Sequence, residues 1–429
     1  IYRANTITAE PDLRFKAWGQ QNIIASIWHG IFAGSKEWMH SNFTTKNVFN
    51  GVQNLYSNLI FVGSDKIFYI GTDGYIHGYV RVGDNYHWGA WVTVSPSYSA
   101  DIFHGQNVSD QIKAKGDLAS SSLVASPDGS RLLYIGVNGY IYGFEINNVW
   151  DYQYFEFMKR DMHDQSLSAE CCLIYPQNDK IYYIARQGDG TKRVHGFQKS
   201  VSDWHTVSPA YSAEIFYASS DHSQYVSHQF QAEGALTYDS NVFPNRIYYR
   251  GVGGLLYYFI VNTPVDYYYV PCPGNFLLRD QHLVIQGNIA IHGNRIYYVG
   301  KYLDDHSLWV HCLIDNGSSW NTVSPSYSAA LYNGQPLTSQ IPPNIYGNIT
   351  VSPDGNTIAY FGFYPFVFYY HNIDGVNYAW GGTNPTGDKV GDNSLHFADN
   401  NHIFYVDSFG YVHMLEWEED YCKNNTIPV

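Results

Sequence analysis

The sequence predicts an all-β fold, a seven-bladed β-propeller of four-stranded antiparallel blades, on three observations. A Tyr-centred block recurs seven times. Hairpin turns follow most of those blocks. The spacing of the blocks suits one four-stranded unit each.

The block is a basic or polar residue, an apolar residue, any residue, Tyr, an apolar residue (Arg250 once), then usually Gly. It reads Lys66–Gly71, Arg131–Gly136, Lys180–Ala185, Arg246–Gly251, Arg295–Gly300, Thr357–Gly362 and His402–Asp407. The fourth position is Tyr in every copy: Tyr69, Tyr134, Tyr183, Tyr249, Tyr298, Tyr360 and Tyr405. Aromatic and β-branched residues favour strands, so each block reads as a strand buried on both faces. Turns such as Thr72-Asp73-Gly74 and Val137-Asn138-Gly139 follow. Asp-Gly and Asn-Gly supply the positive φ angles of tight hairpins. A third strand comes next, as in Tyr75–Tyr79 and Tyr140–Phe144. The clearest copy meanders from Leu118 through Pro127-Asp128-Gly129, Arg131–Gly136 and Tyr140–Ile146 to a fourth strand running through Phe157.

A second period overlies the first. Block spacings run 65, 49, 66, 49, 62 and 45 residues, long and short in alternation. The segment Thr93–Ala100 returns as Thr206–Ala213 and Thr322–Ala329, after the first, third and fifth blocks only. In the third strand, odd blocks carry His77, His195, His311 and His413, while even blocks carry Tyr142, Tyr257 and Tyr369. The repeating unit is therefore a pair of blades. Residues 1–50 lie outside the pattern. Ile23, Ile24, Ile27, Trp28, Ile31 and Phe32 fall at helical spacing, which predicts a short helix packed on a propeller of residues 51–429, with a buried strand as the alternative.

Composition bounds the function. The chain has 429 residues, 17% aromatic and 14% charged, with a net charge of −14. That balance argues against nucleic acid and anionic membrane as partners. No apolar run reaches the roughly 20 residues of a bilayer span, so membrane insertion is not expected. Five Asn-x-Ser/Thr sequons, at Asn42, Asn107, Asn316, Asn348 and Asn424, fit a secreted or cell-surface chain. The five cysteines, Cys171, Cys172, Cys272, Cys312 and Cys422, form no zinc pattern and read as buried thiols, with one disulfide of unassigned pairing as the alternative. No cofactor or metal is expected. No nucleophile elbow, phosphate loop or HExxH is present, so the chain does not read as an enzyme.

The candidate ligand residues sit in the two-blade repeat. Trp91, Trp204 and Trp320 precede the Ser-Pro-Ser/Ala-Tyr-Ser segments that hold Tyr98, Tyr211 and Tyr327. Aromatic faces with Ser and Tyr hydroxyls suit neutral polyhydroxyl ligands. The alternative reading is a packing anchor followed by a turn fixed by Pro. His77, His195 and His311 read first as core, then as hydrogen-bonding ligand residues and last as metal ligands.

The stretches Lys66–Tyr79, Arg131–Phe144 and Val124–Gly136 resemble the repeats of secreted bacterial β-propellers, including lectin-type propellers that bind fucose and related sugars between blades. The resemblance covers about residues 50–420. It implies a multivalent carbohydrate- or glycoconjugate-binding protein. Those lectins place an Arg, a Glu and a Trp around each sugar, a trio that does not recur at equivalent positions of every blade here. The second expectation is a scaffold that docks extracellular protein partners. A polysaccharide-cleaving enzyme ranks third, because an active site is singular whereas the polar features here recur.

Overall fold

The computed structural model describes residues 38–42, 59–63, 65–81, 91–93, 111–116, 122–148, 151–157, 168–200, 203–207, 231–239, 242–263, 266–272, 278, 282–317, 319–322, 349–362, 367–372, 378–383, 395–406 and 412–417. Among them the strands form seven four-stranded antiparallel sheets. Six sheets take their strands in chain order. They centre on Lys66–Ile70 (sheet 1), Arg131–Ile135 (sheet 2), Lys180–Arg186 (sheet 3), Arg246–Gly251 (sheet 4), Arg295–Tyr302 (sheet 5) and Thr357–Phe361 (sheet 6). Each of those second strands carries one Tyr-centred block.

Sheet 7 is assembled differently. Its strands His396–Phe397, His402–Val406 and Val412–Trp417 are joined by Trp38–Asn42, which pairs antiparallel to Val412–Trp417 from Trp38↔Trp417 to Asn42↔His413. This corrects the boundary at residue 50, since part of the N-terminal segment belongs to a sheet. Outer strands carry no Tyr block, so the repeat could not reveal this one. The predicted helix over 23–32 lies outside the described residues.

The sheets follow one another in a ring. First strands of consecutive sheets adjoin from sheet 1 to sheet 7. Sheet 7 meets sheet 1 through Phe61, whose ring lies 4.8 Å from Phe404 and 5.0 Å from His396. Apolar clusters fill the seams. Leu133, Phe157, Tyr183 and Phe197 join sheets 2 and 3, and Tyr249, Ile184 and Cys172 join sheets 3 and 4. This arrangement of small antiparallel sheets is that of a β-propeller.

The seven block tyrosines are at most 1% exposed. Each pairs across to the third strand. Tyr69 stacks on His77 at 5.4 Å, Tyr134 on Tyr142 at 5.8 Å, Tyr183 on His195 at 6.0 Å, Tyr249 on Tyr257 at 5.6 Å and Tyr298 on His311 at 5.5 Å. In sheet 6 the residue opposite Tyr360 is Phe368, and Tyr369 lies opposite Ala359. The sequence reading placed Tyr369 one residue too far. Five residues separate Phe361 from Val367, as five separate Ile70 from Ile76 and Ile135 from Ile141, and that equal spacing sets the register.

Those hairpins also dock the next sheet. Ala114 N–H donates to Gly74 O, Ala169 N–H to Gly139 O and Ile285 N–H to Gly254 O, each at 2.7–2.8 Å. Gly254 has φ +69°, and a Cβ there would stand 2.7 Å from Val284 Cβ. Glycine is thus required both for the turn and for the close approach.

Candidate functional site

The three tryptophans of the two-blade repeat take equivalent places. Trp91, Trp204 and Trp320 lie in the fourth strands Trp91–Thr93, Asp203–Val207 and Trp320–Thr322. Their cross-strand partners differ: Arg81 for Trp91, Lys199 for Trp204 and Asp315 for Trp320. Tyr98, Tyr211 and Tyr327 lie outside the described residues.

The candidate histidines lie in the core. His77, His195 and His311 are at most 1% exposed, each stacked under the Tyr of its own sheet. Burial pushes His195 and His311 down to about 3, so both rings are neutral across the physiological range. His77 Nε2 lies 3.0 Å from Asp73 Oδ1, in the hairpin that follows its block. Burial raises the Asp73 carboxyl, but the His77 contact and the Tyr75 N–H outweigh it and hold the group below its ordinary range. Sheet 2 repeats the contact without charge, where Asn138 Nδ2 donates to Tyr142 Oη at 2.7 Å. Hairpin residue and third-strand ring thus form one structural unit. Among the described residues no three His, Cys, Asp or Glu side chains gather to hold a metal ion.

One seam opens into a groove of about 360 Å³, between the outer parts of sheets 2 and 3. Its floor comes from register. Arg131, Glu145 and Gln153 stand opposite one another on the second, third and fourth strands of sheet 2. Arg131 Nη2 donates to Glu145 Oε1 at 2.9 Å, with side chains 30% and 41% exposed. An ion pair so exposed adds at most about 1 kcal/mol to stability. Its donors and acceptors therefore remain open to solvent, or to a ligand.

Aromatic rings complete the groove. The Arg131 guanidinium sits over the Phe155 ring, 5.9 Å from its centre. Phe155 lies across Gly143, where a Cβ would come within 2.8 Å of its Cζ. Phe157 follows two residues on, on the same side of the strand, and meets Trp204 of sheet 3 edge-on at 5.1 Å. Trp204 is half-buried and walls the groove, and Glu156 adds a second carboxylate. The site thus combines a planar cation, carboxylates, an amide and flat rings.

The equivalent seam between sheets 4 and 5 is closed by its own residues. Arg246, which heads its block as Arg131 does, pairs with Asp315 of sheet 5. Tyr248 Oη donates to the same Asp315 oxygen at 3.0 Å, and Asp315 is 1% exposed. The Arg246 guanidinium also lies 4.0 Å from the centre of the Phe243 ring. In sheet 3 the position of Asp315 is Lys199, which cannot accept from Arg131. Arg131 pairs instead with Glu145, which its own sheet places opposite it, and also meets Tyr175 of sheet 3, and the groove stays open.

Of the sequence candidates, this groove brings in Trp204 alone. Arg131 was visible as the basic head of its block. Glu145 and Gln153 gave no signal, since their role arises only when three strands align.

No protein-family model matches the chain, and no curated protein matches it. Solved structures do. A chain of a mitotic checkpoint complex superposes with a TM-score of 0.51 at 11% identity, over 89% of this chain and 94% of that one. The β-propeller domain of Cps50 (Swd1) from Myceliophteria thermophila gives 0.48 at 10% identity, over 89% and 99%. An oligogalacturonate lyase in complex with manganese gives 0.49 at 9% identity, over 90% and 99%. At such identities the likeness extends to architecture, and the chain is an all-β protein with the β-propeller fold.

Proposed function

We propose that the protein is a seven-bladed propeller that binds carbohydrate, as a secreted or cell-surface lectin-like module. The supporting observation is the groove between sheets 2 and 3. Sugars present hydroxyl groups around apolar C–H faces. A half-exposed Arg131–Glu145 pair offers donors and acceptors to vicinal hydroxyls, and Phe155, Phe157 and Trp204 offer flat surfaces to the C–H faces. The groove is shallow and open, so one sugar residue at a chain end suits it better than a buried small molecule. The closed seam between sheets 4 and 5 argues against three equal sites, although the sequence repeats Trp three times.

A glycan array identifies a ligand, and calorimetric titration of that ligand measures the groove. Arg131→Gln and Trp204→Ala should each weaken binding by roughly tenfold or more, as central contacts do. Both should leave a cooperative melting transition. Unchanged affinity in both variants would move the site elsewhere. An array without hits, together with a stable protein complex captured through this seam, would favour the scaffold reading.

A further inference from the structure

We propose that Cys171 and Cys172 form a reversible redox site, a vicinal dithiol that closes to a disulfide by exchange with a low-molecular-weight disulfide. Both stand in the first strand of sheet 3, Ser168–Gln177. In a regular strand adjacent side chains point to opposite faces. Here the register slips between Cys171 and Ile174, and Cys172 adopts φ +59°, in the left-handed region. The bulge brings the two Sγ atoms to 3.3 Å. Sheets 4 and 5 bulge at the matching place, where Ala235 has φ +56° and Gly287 φ +71°. The backbone feature is therefore common to three sheets, and the thiol pair is peculiar to one.

A second departure from the repeat meets it. Arg250 is the one charged residue at the fifth position of the seven blocks. Its Nη1 donates to Gly287 O at 2.7 Å, which anchors the guanidinium on the first strand of sheet 5. Gly234 leaves the space between clear: a Cβ there would lie 3.5 Å from Arg250 Nη2 and 4.0 Å from Cys172 Sγ. Cys172 is held below the ordinary thiol range by the Cys171 hydrogen bond first, against burial, and then by the N–H groups of Leu236 and Ala235 and the Arg250 charge. Cys312 shows the contrast: burial pushes its thiol up to about 12.

Exposure assigns the order of events. Cys171 is half-buried and Cys172 is 5% exposed. Cys171 sulfur attacks the reagent disulfide, forming a mixed disulfide and releasing one thiol. Cys172 thiolate then attacks Cys171 Sγ, and the second reagent thiol leaves with a proton. Two protein thiols are oxidised and one disulfide is reduced to two thiols. The product is an eight-membered ring. Adjacent Cα atoms stand about 3.8 Å apart, closer than ordinary disulfides allow, which makes the ring easy to reopen.

The test equilibrates the full chain with glutathione and glutathione disulfide at graded ratios, then alkylates it and maps peptides by mass spectrometry. The peptide holding Cys171 and Cys172 should become two hydrogens lighter and resist alkylation, and excess reduced glutathione should reverse this. Cys172→Ser should instead accumulate glutathione on Cys171. Arg250→Gln should slow ring closure by about fivefold or more at neutral pH. Phenylarsine oxide, which bridges two close thiols, should bind the reduced parent and not Cys172→Ser. A mixed disulfide that persists on Cys171 of the parent would overturn the proposal. So would both thiols staying open to alkylation at every ratio.

Discussion

The stacked ring pairs place imidazoles where water does not reach, and that has a consequence for acid stability. His195 and His311 are buried and held near 3, against about 6.5 for an exposed ring. Between those values the unfolded chain binds a proton that the folded chain excludes. Stability is therefore unaffected above about pH 6.5 and falls as the pH drops from there toward about 3. Each excluded proton contributes a slope of up to ~1.4 kcal/mol per pH unit. In sheet 6 the sequence itself puts Phe368 opposite Tyr360, a residue without a ring nitrogen at this register position. In His311→Phe, urea unfolding between about pH 4 and pH 6 should show a shallower loss of stability, by up to ~1 kcal/mol per pH unit. An unchanged slope would mean that His311 takes up its proton inside the fold.

At the scale of the hairpin and the strand, the same turn is used with different neighbours. Gly190 and Gly254 both have positive φ, +84° and +69°. A Cβ at Gly190 meets nothing within 4 Å, whereas one at Gly254 strikes Val284 and the backbone of Ile285. Gly190→Ala should cost only the left-handed penalty, about 1–2 kcal/mol. Gly254→Ala should cost that and a further ~1–3 kcal/mol for overpacking. Chemical denaturation of the two variants measures the difference. Equal losses would show that the hairpin does not hold the next sheet. Much of this level was legible in the sequence, because Tyr134 and its six counterparts mark second strands and Asp73-Gly74 marks a turn. The bulge at Cys172 and the Arg131–Glu145 pairing were not. Both depend on which residues stand opposite across strands, and a one-residue slip, as at Tyr369, reverses the face. The groove carries one further condition, the exchange of Asp315 for Lys199, whose meaning appears only when two sheets face each other.

At the scale of the whole molecule, the ring closes through a strand far from its partners in sequence. Trp38–Asn42 pairs with Val412–Trp417, which binds the N-terminal region to the last sheet. The Tyr-centred repeat could not show this, since an outer strand has neither the block nor its turn. Without that strand, Val412–Trp417 would present its unpaired N–H and C=O groups as an open edge beside the buried Met414 and Leu415. Exposed edges recruit other strands. The loss also removes the only link among the described residues that ties the two ends of the chain within one sheet. A chain shortened to begin at residue 51 should therefore keep six complete sheets and weaken at the seventh. Its thermal transition should fall and broaden, and light scattering should show dimers or larger species at concentrations where the full chain stays monodisperse. Adding a peptide of residues 36–44 should restore the transition in part, because the vacant edge accepts the same register. If the shortened chain melts like its parent and stays the same size, ring closure rests on the apolar seam of Phe61, Phe404 and His396, and the pairing contributes little.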